Sequence, residues 1–174
     1  MADQTELPNT VQALRDLVDA SWRRLQPAFD APEAVVTRVG ADGWSIKDHL
    51  AHITAWEGAL LATLAGQPWL DSMGLGDLAQ APGDIDAINA LILARRQSQP
   101  AARVRAEAQA IHQRVEAALA ALSDADLARP NSYFYPSAPE PLRDEPVAGW
   151  IAINTFQHYD DHGPAIRALL GGVA

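Results

Sequence analysis

Two histidines near the C-terminal end of the chain have the spacing of a metal-binding pair. His158 and His162 are two of the five histidines in the sequence and lie four residues apart in a segment predicted to be helical. On an α-helix this spacing leaves the two rings about 40° apart on one face, one turn above the other. The same face carries apolar residues, so each ring lies in a stripe where a buried polar group requires a partner. A metal ion would satisfy both rings at once.

A complete site of this kind needs a further ligand, because catalytic zinc-type sites commonly use three protein ligands and leave a coordination position open. The sequence offers His49, His52 and His112. His112 lies one residue from the apolar stripe that contains Ile111 and is interpreted as a solvated side chain. Periodicity on the second predicted helix slightly favours His49, nearer the centre of the apolar face, over His52 on its flank, and leaves both open. Neutral imidazoles favour zinc, nickel or another late first-row divalent ion.

The residues around these histidines exclude two familiar metal chemistries. Tyr159 stands where a metalloprotease HExxH motif needs its general-base glutamate. No histidine has a glutamate three residues before it, as carboxylate-bridged di-iron bundles require. The pattern therefore indicates a mononuclear site that can polarise a carbonyl group or lower the pKa of a bound water or thiol.

Polar and aromatic residues near these histidines are candidates to assist such a site. Asn154 lies one helical turn before His158 and Asp161 flanks the same face, so either could orient a ligand ring or a bound water. The alternatives are a capped core amide for Asn154 and an exposed aspartate for Asp161. Glu57 lies near the apolar centre of the second helix and is a candidate acid or base, unless it extends to solvent or pairs with an arginine. Three tryptophans are expected either in the core or along a ligand pocket: Trp56, Trp69 and Trp150.

Hydrophobic periodicity predicts that helices position these residues. Four helical regions are expected, and the third either bends or restarts at Pro100. The helical regions are residues 8–29, 45–64, 84–122 and 147–170, with long loops at residues 67–83, between the second and third, and 129–146, before the fourth. With no internal repeat and no convincing strand, the sequence predicts one all-α domain over residues 1–174. The simplest architecture is a four-helix bundle, whose facing helices are a usual place for a metal site.

Local signals mark the start of the second helix. Ser45 is a natural N-cap, and Asp48 three residues later can complete a capping box. Trp44 precedes the cap and is expected to pack against His49 as a hydrophobic staple. These signals predict that the helix carrying His49 and His52 begins directly after Ser45.

The composition limits the partners and the compartment. The net charge is −9 and no lysine–arginine cluster occurs, so nucleic acid and anionic membrane surfaces are not expected as partners. Because the chain has no cysteine, disulfides, thiolate ligands and a cysteine nucleophile are excluded. Neither a signal peptide nor a run of membrane-spanning length is evident, which predicts a cytoplasmic protein.

The fourth predicted helix has a second apolar edge. Ile153 and Phe156 project away from the histidine face and would be exposed in a monomer. We therefore expect a homodimer, or burial of this edge under the 67–83 loop.

Two motifs resemble the DinB-like (YfiT-like) superfamily. Residues 43–53, which read GWSIKDHLAHI, are similar to its second-helix signature, and His158-x-x-x-His162 is similar to its C-terminal motif. The order of the motifs, the long gap between them and the four-helix layout also match, so the resemblance covers nearly the whole chain. It implies that His52, eight residues after Trp44, binds a metal together with His158 and His162. His49 is then left as the packing partner of Trp44.

The residues around His52 and His158 are further similar to one subgroup, the colibactin self-protection cyclopropane hydrolase family. Activities known in the superfamily include thiol-dependent transfer or isomerisation, hydrolysis of small electrophiles, and detoxification. The resemblance therefore implies a divalent-metal-dependent hydrolase or transferase that acts on a small electrophilic or thiol-conjugated molecule. The alternative is a non-catalytic protein that binds or sequesters a small molecule on the same bundle, with structural or vestigial histidines.

Overall fold

The computed structural model describes residues 7–77, 84–138 and 142–171. Within these ranges the chain is helical, and its only extended pairings are two isolated bridges. The α-helices are α1 (Val11–Arg23), α2 (Gln26–Asp30), α3 (Glu33–Val36), α4 (Ile46–Leu64), α5 (Trp69–Ser72), α6 (Ile85–Arg96), α7 (Ala101–Ala120), α8 (Asp124–Leu127), α9 (Asn131–Phe134), α10 (Val147–Asn154) and α11 (Phe156–Gly171), and a 3₁₀ turn covers Leu142–Asp144. No helix in the described ranges is both long and apolar enough to cross a membrane.

Four long helices, α1, α4, α7 and α11, form the bundle that the sequence predicts. The central one is α4, which packs most extensively against α7 and also contacts α6, α10 and α11. Sixteen of its nineteen residues are buried. Because neighbours surround α4, polar side chains on several of its faces lie inside the protein, where facing helices can build a site.

The predicted start of α4 is confirmed. The Ser45 hydroxyl accepts a hydrogen bond from the amide of Asp48 (3.2 Å), and the Asp48 carboxylate accepts one from the amide of Ser45 (3.0 Å). This capping box satisfies two amide groups that an uncapped helix would leave without partners. Trp44 packs against His49 with ring centroids 5.3 Å apart, as the staple predicts. The first turn of α4 is thus held in place by local contacts.

The first and third predicted helices are each divided in two. The helix expected over residues 8–29 ends at Arg23, and α2 follows with Pro27 in its first turn. Proline has no amide hydrogen to donate to the preceding turn, and its ring clashes with that turn, so the helix breaks here. The third predicted helix is interrupted before Pro100, since α6 ends at Arg96 and Pro100 is the N-cap of α7.

Short helical turns lie within both of the predicted long loops. α5 lies in the loop at 67–83, and α9 and the 3₁₀ turn lie in the loop at 129–146. Residues 78–83 and 139–141 of these loops are outside the described residues. The described parts connect the bundle helices as expected, and they contain short helical turns.

The fourth predicted helix is interrupted at Thr155. This residue adopts φ −129° and ψ −109° between α10 and α11. Its hydroxyl donates a hydrogen bond to the carbonyl oxygen of Ile151 (2.6 Å), a local bond that often accompanies a bend. The expectation that Phe156 would be exposed in a monomer is wrong, because its side chain is 8% exposed and belongs to the core of its own chain. Only Ile153, which is 48% exposed, still supports the prediction of a homodimer.

Candidate metal centre

Three histidine rings from two helices converge at the interface of α4 and α11. Nε2 of His158 lies 2.9 Å from Nε2 of His52 and 3.2 Å from Nε2 of His162. One potential ligand atom of each ring lies within 4.8 Å of the others. His158 and His162 are one turn apart on α11, and His52 reaches them from α4. The structure therefore brings together the three residues that the resemblance implied as ligands, and we call them the triad.

The donor set of the triad fits a divalent ion better than it fits a set of hydrogen bonds. Nε2 of His158 carries either a proton or a lone pair, so it cannot form a good hydrogen bond with both of its neighbours. Nδ1 of His52 and Nδ1 of His158 are buried without a hydrogen-bond partner among the described residues. Nitrogens bound to one tetrahedral zinc ion lie about 3.3 Å apart, close to the two separations that involve His158, 2.9 and 3.2 Å. A late divalent ion therefore matches these two separations, while the ligand atoms of His52 and His162 lie within 4.8 Å of each other.

The electrostatic surroundings keep the triad neutral, as metal ligation requires. Burial, followed by the neighbouring imidazoles, lowers the pKa of His52 to about 2. Burial together with His162 lowers the pKa of His158 to about 3. Burial together with His49 lowers the pKa of His162 to about 4. All three rings therefore offer lone pairs at neutral pH.

His49 lies beside the triad rather than in it. Its Nδ1 is 2.9 Å from Nδ1 of His162, and its Nε2 is 3.2 Å from Oδ2 of Asp42, an ion-pair distance without hydrogen-bond alignment. This arrangement does not support the slight preference of periodicity for His49, because His52 rather than His49 converges with the pair on α11. Periodicity fails here since α4 is buried on nearly every side, so the centre of its apolar face does not identify one neighbour.

The turn before α4 supplies a cover for the triad and a partner for His49. Gly43 has φ +85°, in the left-handed region that favours glycine. In this turn the Asp42 carboxylate accepts a hydrogen bond from the amide of Trp44 (3.0 Å). The indole of Trp44 packs against three imidazoles, with ring centroids 5.3, 5.1 and 6.0 Å from those of His49, His52 and His162. The indole thus covers one side of the candidate metal centre.

Glu57 lies in a second buried polar cluster. Its carboxylate accepts a hydrogen bond from the Tyr159 hydroxyl and lies 3.0 Å from Nδ1 of His112. Trp22 stacks on the His112 ring with centroids 3.8 Å apart, so each of the four bundle helices contributes one residue. Glu57 is fully buried, which raises its pKa, and burial also raises the pKa of Tyr159 well above its usual range. Glu57 therefore neither extends to solvent nor pairs with an arginine, the two alternatives to an acid–base role.

The interpretation of His112 as a solvated side chain is wrong, since it is only 4% exposed. The signal that identifies it is the spacing of the apolar residues around Ile111, which lie three, four, seven and eight residues from His112 and so flank His112 as closely as they flank Ile111. These buried apolar residues are Val104, Ala108, Val115 and Leu119. His112 therefore faces the bundle core, where a polar ring requires the partners that Glu57 and Tyr159 provide.

The remaining candidates from the sequence are Asn154, Asp161 and the three tryptophans. Asn154 is buried and donates a hydrogen bond to the carbonyl oxygen of Trp150 (2.7 Å), as the capped-amide alternative predicts. Asp161 is exposed. Trp56 lies 6.1 Å from Trp69 and 6.3 Å from Trp150 between ring centroids, and it also contacts the ring of His52 at 6.4 Å. Trp69 and Trp150 line a small cavity.

Comparison with known proteins identifies the family and the fold. Residues 9–163 match the model of the DinB superfamily. An uncharacterised protein from Escherichia coli UTI89 is 14% identical, with 97% of this chain and 96% of that chain covered and a TM-score of 0.69. A protein from Streptococcus pneumoniae is 15% identical, with 95% and 92% covered and a TM-score of 0.71. At these identities the likeness shows the fold alone. Among curated proteins, no sequence matches this chain significantly.

One similar structure goes against an expectation based on composition. The colibactin self-resistance protein ClbS, solved in complex with dsDNA, is 12% identical, with 96% of this chain and 99% of that chain covered and a TM-score of 0.70. A protein of this fold therefore does form a complex with DNA. The net charge of −9 is consequently not a sufficient reason to exclude nucleic acid as a partner.

Proposed function

This chain belongs to the DinB superfamily, and on that premise we propose that it is a divalent-metal-dependent enzyme acting on a small electrophilic molecule. The reaction class is hydrolysis or thiol-dependent transfer, in detoxification or self-protection. The observation that carries the proposal is the convergence of Nε2 atoms from His52, His158 and His162. In this proposal the three atoms hold zinc or nickel, which imidazole ligands favour.

The proposed chemistry assigns a task to each part of the site. A bound ion of this type supplies Lewis-acid activation of a carbonyl group, a water or a thiol. The neutral imidazoles of the triad hold the ion, and the indole of Trp44 limits the access of bulk water from one side. Asp161 is exposed next to His162 in the sequence and is our candidate for proton transfer with solvent. Glu57, the other acid–base candidate, is fully buried and contacts His112 and Tyr159 rather than the triad, so we assign it to the packing of α4, α7 and α11.

Elemental analysis of protein purified without a histidine tag tests the proposal. We expect close to one zinc or nickel ion per chain, and none in the His52→Ala and His158→Ala variants. His112→Ala is the matched control, because it removes a buried histidine outside the triad and should retain the ion. Absence of metal from the wild-type protein, even after incubation with zinc or nickel, would overturn the proposal. Metal-loaded protein is then assayed with small electrophiles, with and without a small thiol.

The second candidate function is a non-catalytic protein that binds or sequesters a small molecule. Burial of His52, which is 5% exposed, and the cover that Trp44 provides on one side of the cluster favour it, although His158 and His162 are only half-buried. In this case the ion has a structural role and lacks an open coordination position.

Cobalt-substituted protein distinguishes the two candidates. Azide added to the cobalt form should change the visible absorption spectrum if a coordination position is open, as an enzyme requires. An unchanged spectrum, with cobalt still bound at one ion per chain, would favour the binding protein. Cobalt-loaded His158→Ala protein is the control for ions bound elsewhere.

A further inference from the structure

We propose that Asp42 and His49, here called the outer pair, set the orientation and the tautomer of His162 as a metal ligand. This inference rests on the proposed metal-dependent function and adds two positioning residues to it. Neither residue belongs to the triad, and both act through the ring of His162.

The outer pair is connected to the triad through one short contact. Nδ1 of His49 lies 2.9 Å from Nδ1 of His162, while Nε2 of His162 lies 3.2 Å from Nε2 of His158. The ring of His162 thus faces the outer pair with one nitrogen and the triad with the other. Nδ1 of His52 and Nδ1 of His158 have no hydrogen-bond partner among the described residues. Within the triad, His162 is therefore the ring whose non-ligating nitrogen is held by the protein.

Metal ligation determines which ring nitrogens of His162 and His49 carry protons. To bind an ion through Nε2, a neutral His162 carries its proton on Nδ1. That proton is donated to Nδ1 of His49, so the proton of His49 lies on Nε2. Nε2 of His49 is the atom that faces the carboxylate of Asp42 at 3.2 Å. In this arrangement the N–H of His162 faces a lone pair of His49, and the N–H of His49 faces a carboxylate oxygen of Asp42.

The opposite tautomers are disfavoured by the charge of Asp42. A proton on Nε2 of His162 would remove the lone pair needed by the ion, and His49 would then carry its proton on Nδ1. The lone pair on Nε2 of His49 would face a carboxylate, which is repulsive. The negative charge of Asp42 therefore selects the tautomer of His49, and His49 in turn selects the tautomer of His162. Outer partners of this kind fix ring orientation and raise ligand basicity in metal sites.

Both members of the outer pair are held by local structure. His49 is 3% exposed and lies in the first turn of α4, whose capping box fixes the start of the helix. Asp42 lies in the turn that contains Gly43, and its other carboxylate oxygen accepts a hydrogen bond from the amide of Trp44. The pair is thus positioned by the backbone on each side of Ser45 and does not depend on a flexible side-chain contact.

The test uses zinc as the probe and three variants of the full chain. His49→Leu removes the acceptor that faces His162, and His49→Asn restores a polar group near the position of Nδ1. Asp42→Asn removes the selecting charge at an exposed position where the fold should tolerate the change. His112→Leu and Asp16→Asn are matched controls for a buried histidine and an exposed aspartate. Zinc affinity is measured by competition with a chromophoric chelator, and long-range ¹H–¹⁵N spectra report the histidine tautomers.

We expect His49→Leu to weaken zinc binding by about 10- to 100-fold, the usual effect of losing an outer partner. Asp42→Asn should cause a smaller loss, His49→Asn should recover most of the affinity, and both controls should bind as the wild type does. In the zinc-loaded wild type, His162 should be protonated on Nδ1 and His49 on Nε2. Ligation through Nε2 alone fixes the proton of His162, so the discriminating readouts are the proton of His49 on Nε2 and the recovery by asparagine, which a merely structural role would not produce.

Three outcomes would overturn the inference, and they differ in what they say about the proposed function. Wild-type zinc affinity in His49→Leu and Asp42→Asn, with loss of zinc in His158→Ala, would reject the outer pair and leave the metal site standing. A proton on Nδ1 of His49 in the zinc-loaded protein would have the same meaning. Absence of zinc from the wild type would reject the outer pair and the proposed function together. If His49→Leu does not fold, Asp42→Asn and the wild-type spectra still decide the question.

Discussion

Nε2 of His52 lies 2.9 Å from Nε2 of His158, although 106 residues separate them in the chain. A neutral imidazole carries one proton, so a hydrogen bond can satisfy this pair, but the same nitrogen of His158 also faces Nε2 of His162 at 3.2 Å. The packing of α4 against α11 therefore brings together three ring nitrogens that hydrogen bonds among themselves do not fully satisfy. In the proposed function a bound cation would accept one lone pair from each ring, which is why this contact is central to it.

Metal-free protein should lose stability as the pH falls below about 6.5, the ordinary pKa of histidine. In the folded chain the pKa is about 2 for His52, about 3 for His158 and about 4 for His162. Between these values and 6.5 the unfolded chain binds protons that the folded chain does not, so acid favours unfolding. The contribution is fully present above pH 6.5 and is lost progressively as the pH falls toward these folded-state values.

Urea unfolding of metal-free protein from pH 7.5 to 4.5 measures this effect. His158→Asn removes one titrating ring and should make the dependence of the free energy of unfolding on pH shallower. The carboxylates are the same in both proteins, so the difference between the two curves reports His158 together with its effect on the pKa of His52. Parallel curves would show that the pKa of His158 is not lowered in the folded state.

Removal of the Glu57 side chain should destabilise the bundle without affecting metal binding. Glu57→Leu removes the acceptor of the Tyr159 hydroxyl and leaves Tyr159 and His112 only their mutual contact of 3.3 Å, which should lower the free energy of unfolding by about 1–3 kcal/mol. Glu57→Gln keeps an acceptor oxygen and should cost about 1 kcal/mol. Chemical denaturation measures both, and elemental analysis should show unchanged zinc content. An equal loss in the two variants would mean that the charge of Glu57, rather than its hydrogen bonds, stabilises the cluster.

Trp44→Ala should accelerate the release of zinc without changing its stoichiometry. The indole covers one side of the triad through its contacts with His52 and His162, so its removal opens a path for water and chelator. Stopped-flow transfer of zinc to an excess of chelator measures the rate. Trp69→Ala is the control, since Trp69 stacks on Trp56. Equal rates for Trp44→Ala and wild type would show that the indole does not limit access.

Ser45→Ala should destabilise the protein through loss of the capping box. The hydroxyl accepts a hydrogen bond from the amide of Asp48, and loss of an N-cap typically costs about 1 kcal/mol. Ser45→Asp preserves a capping oxygen and should retain most of the stability. Thermal unfolding of the metal-free variants provides the comparison. A stable Ser45→Ala protein would indicate that packing alone holds the first turn of α4.

Features that depend on neighbours within one or two helical turns were determined by the sequence alone. These include the start of α4 at Ser45, the placement of His158 and His162 on one face of a helix, and the all-α class. Each follows from hydrogen bonds and side-chain spacing between residues three or four apart. Pro27 was also visible as a helix breaker, although its effect on the first helix was not predicted.

Features that depend on packing between distant segments were decided only by the tertiary structure. Periodicity alone did not choose between His49 and His52, because α4 is buried on nearly all sides and the outcome depends on the position of α11. The partners of Glu57 lie 55 and 102 residues away, and no local pattern relates them. The break at Thr155, which accompanies the burial of Phe156, likewise belongs to the packed bundle. The physical reason is the same in all three cases. Local periodicity predicts that a helix face is buried, but the residues that pack against this face are determined only by the tertiary structure.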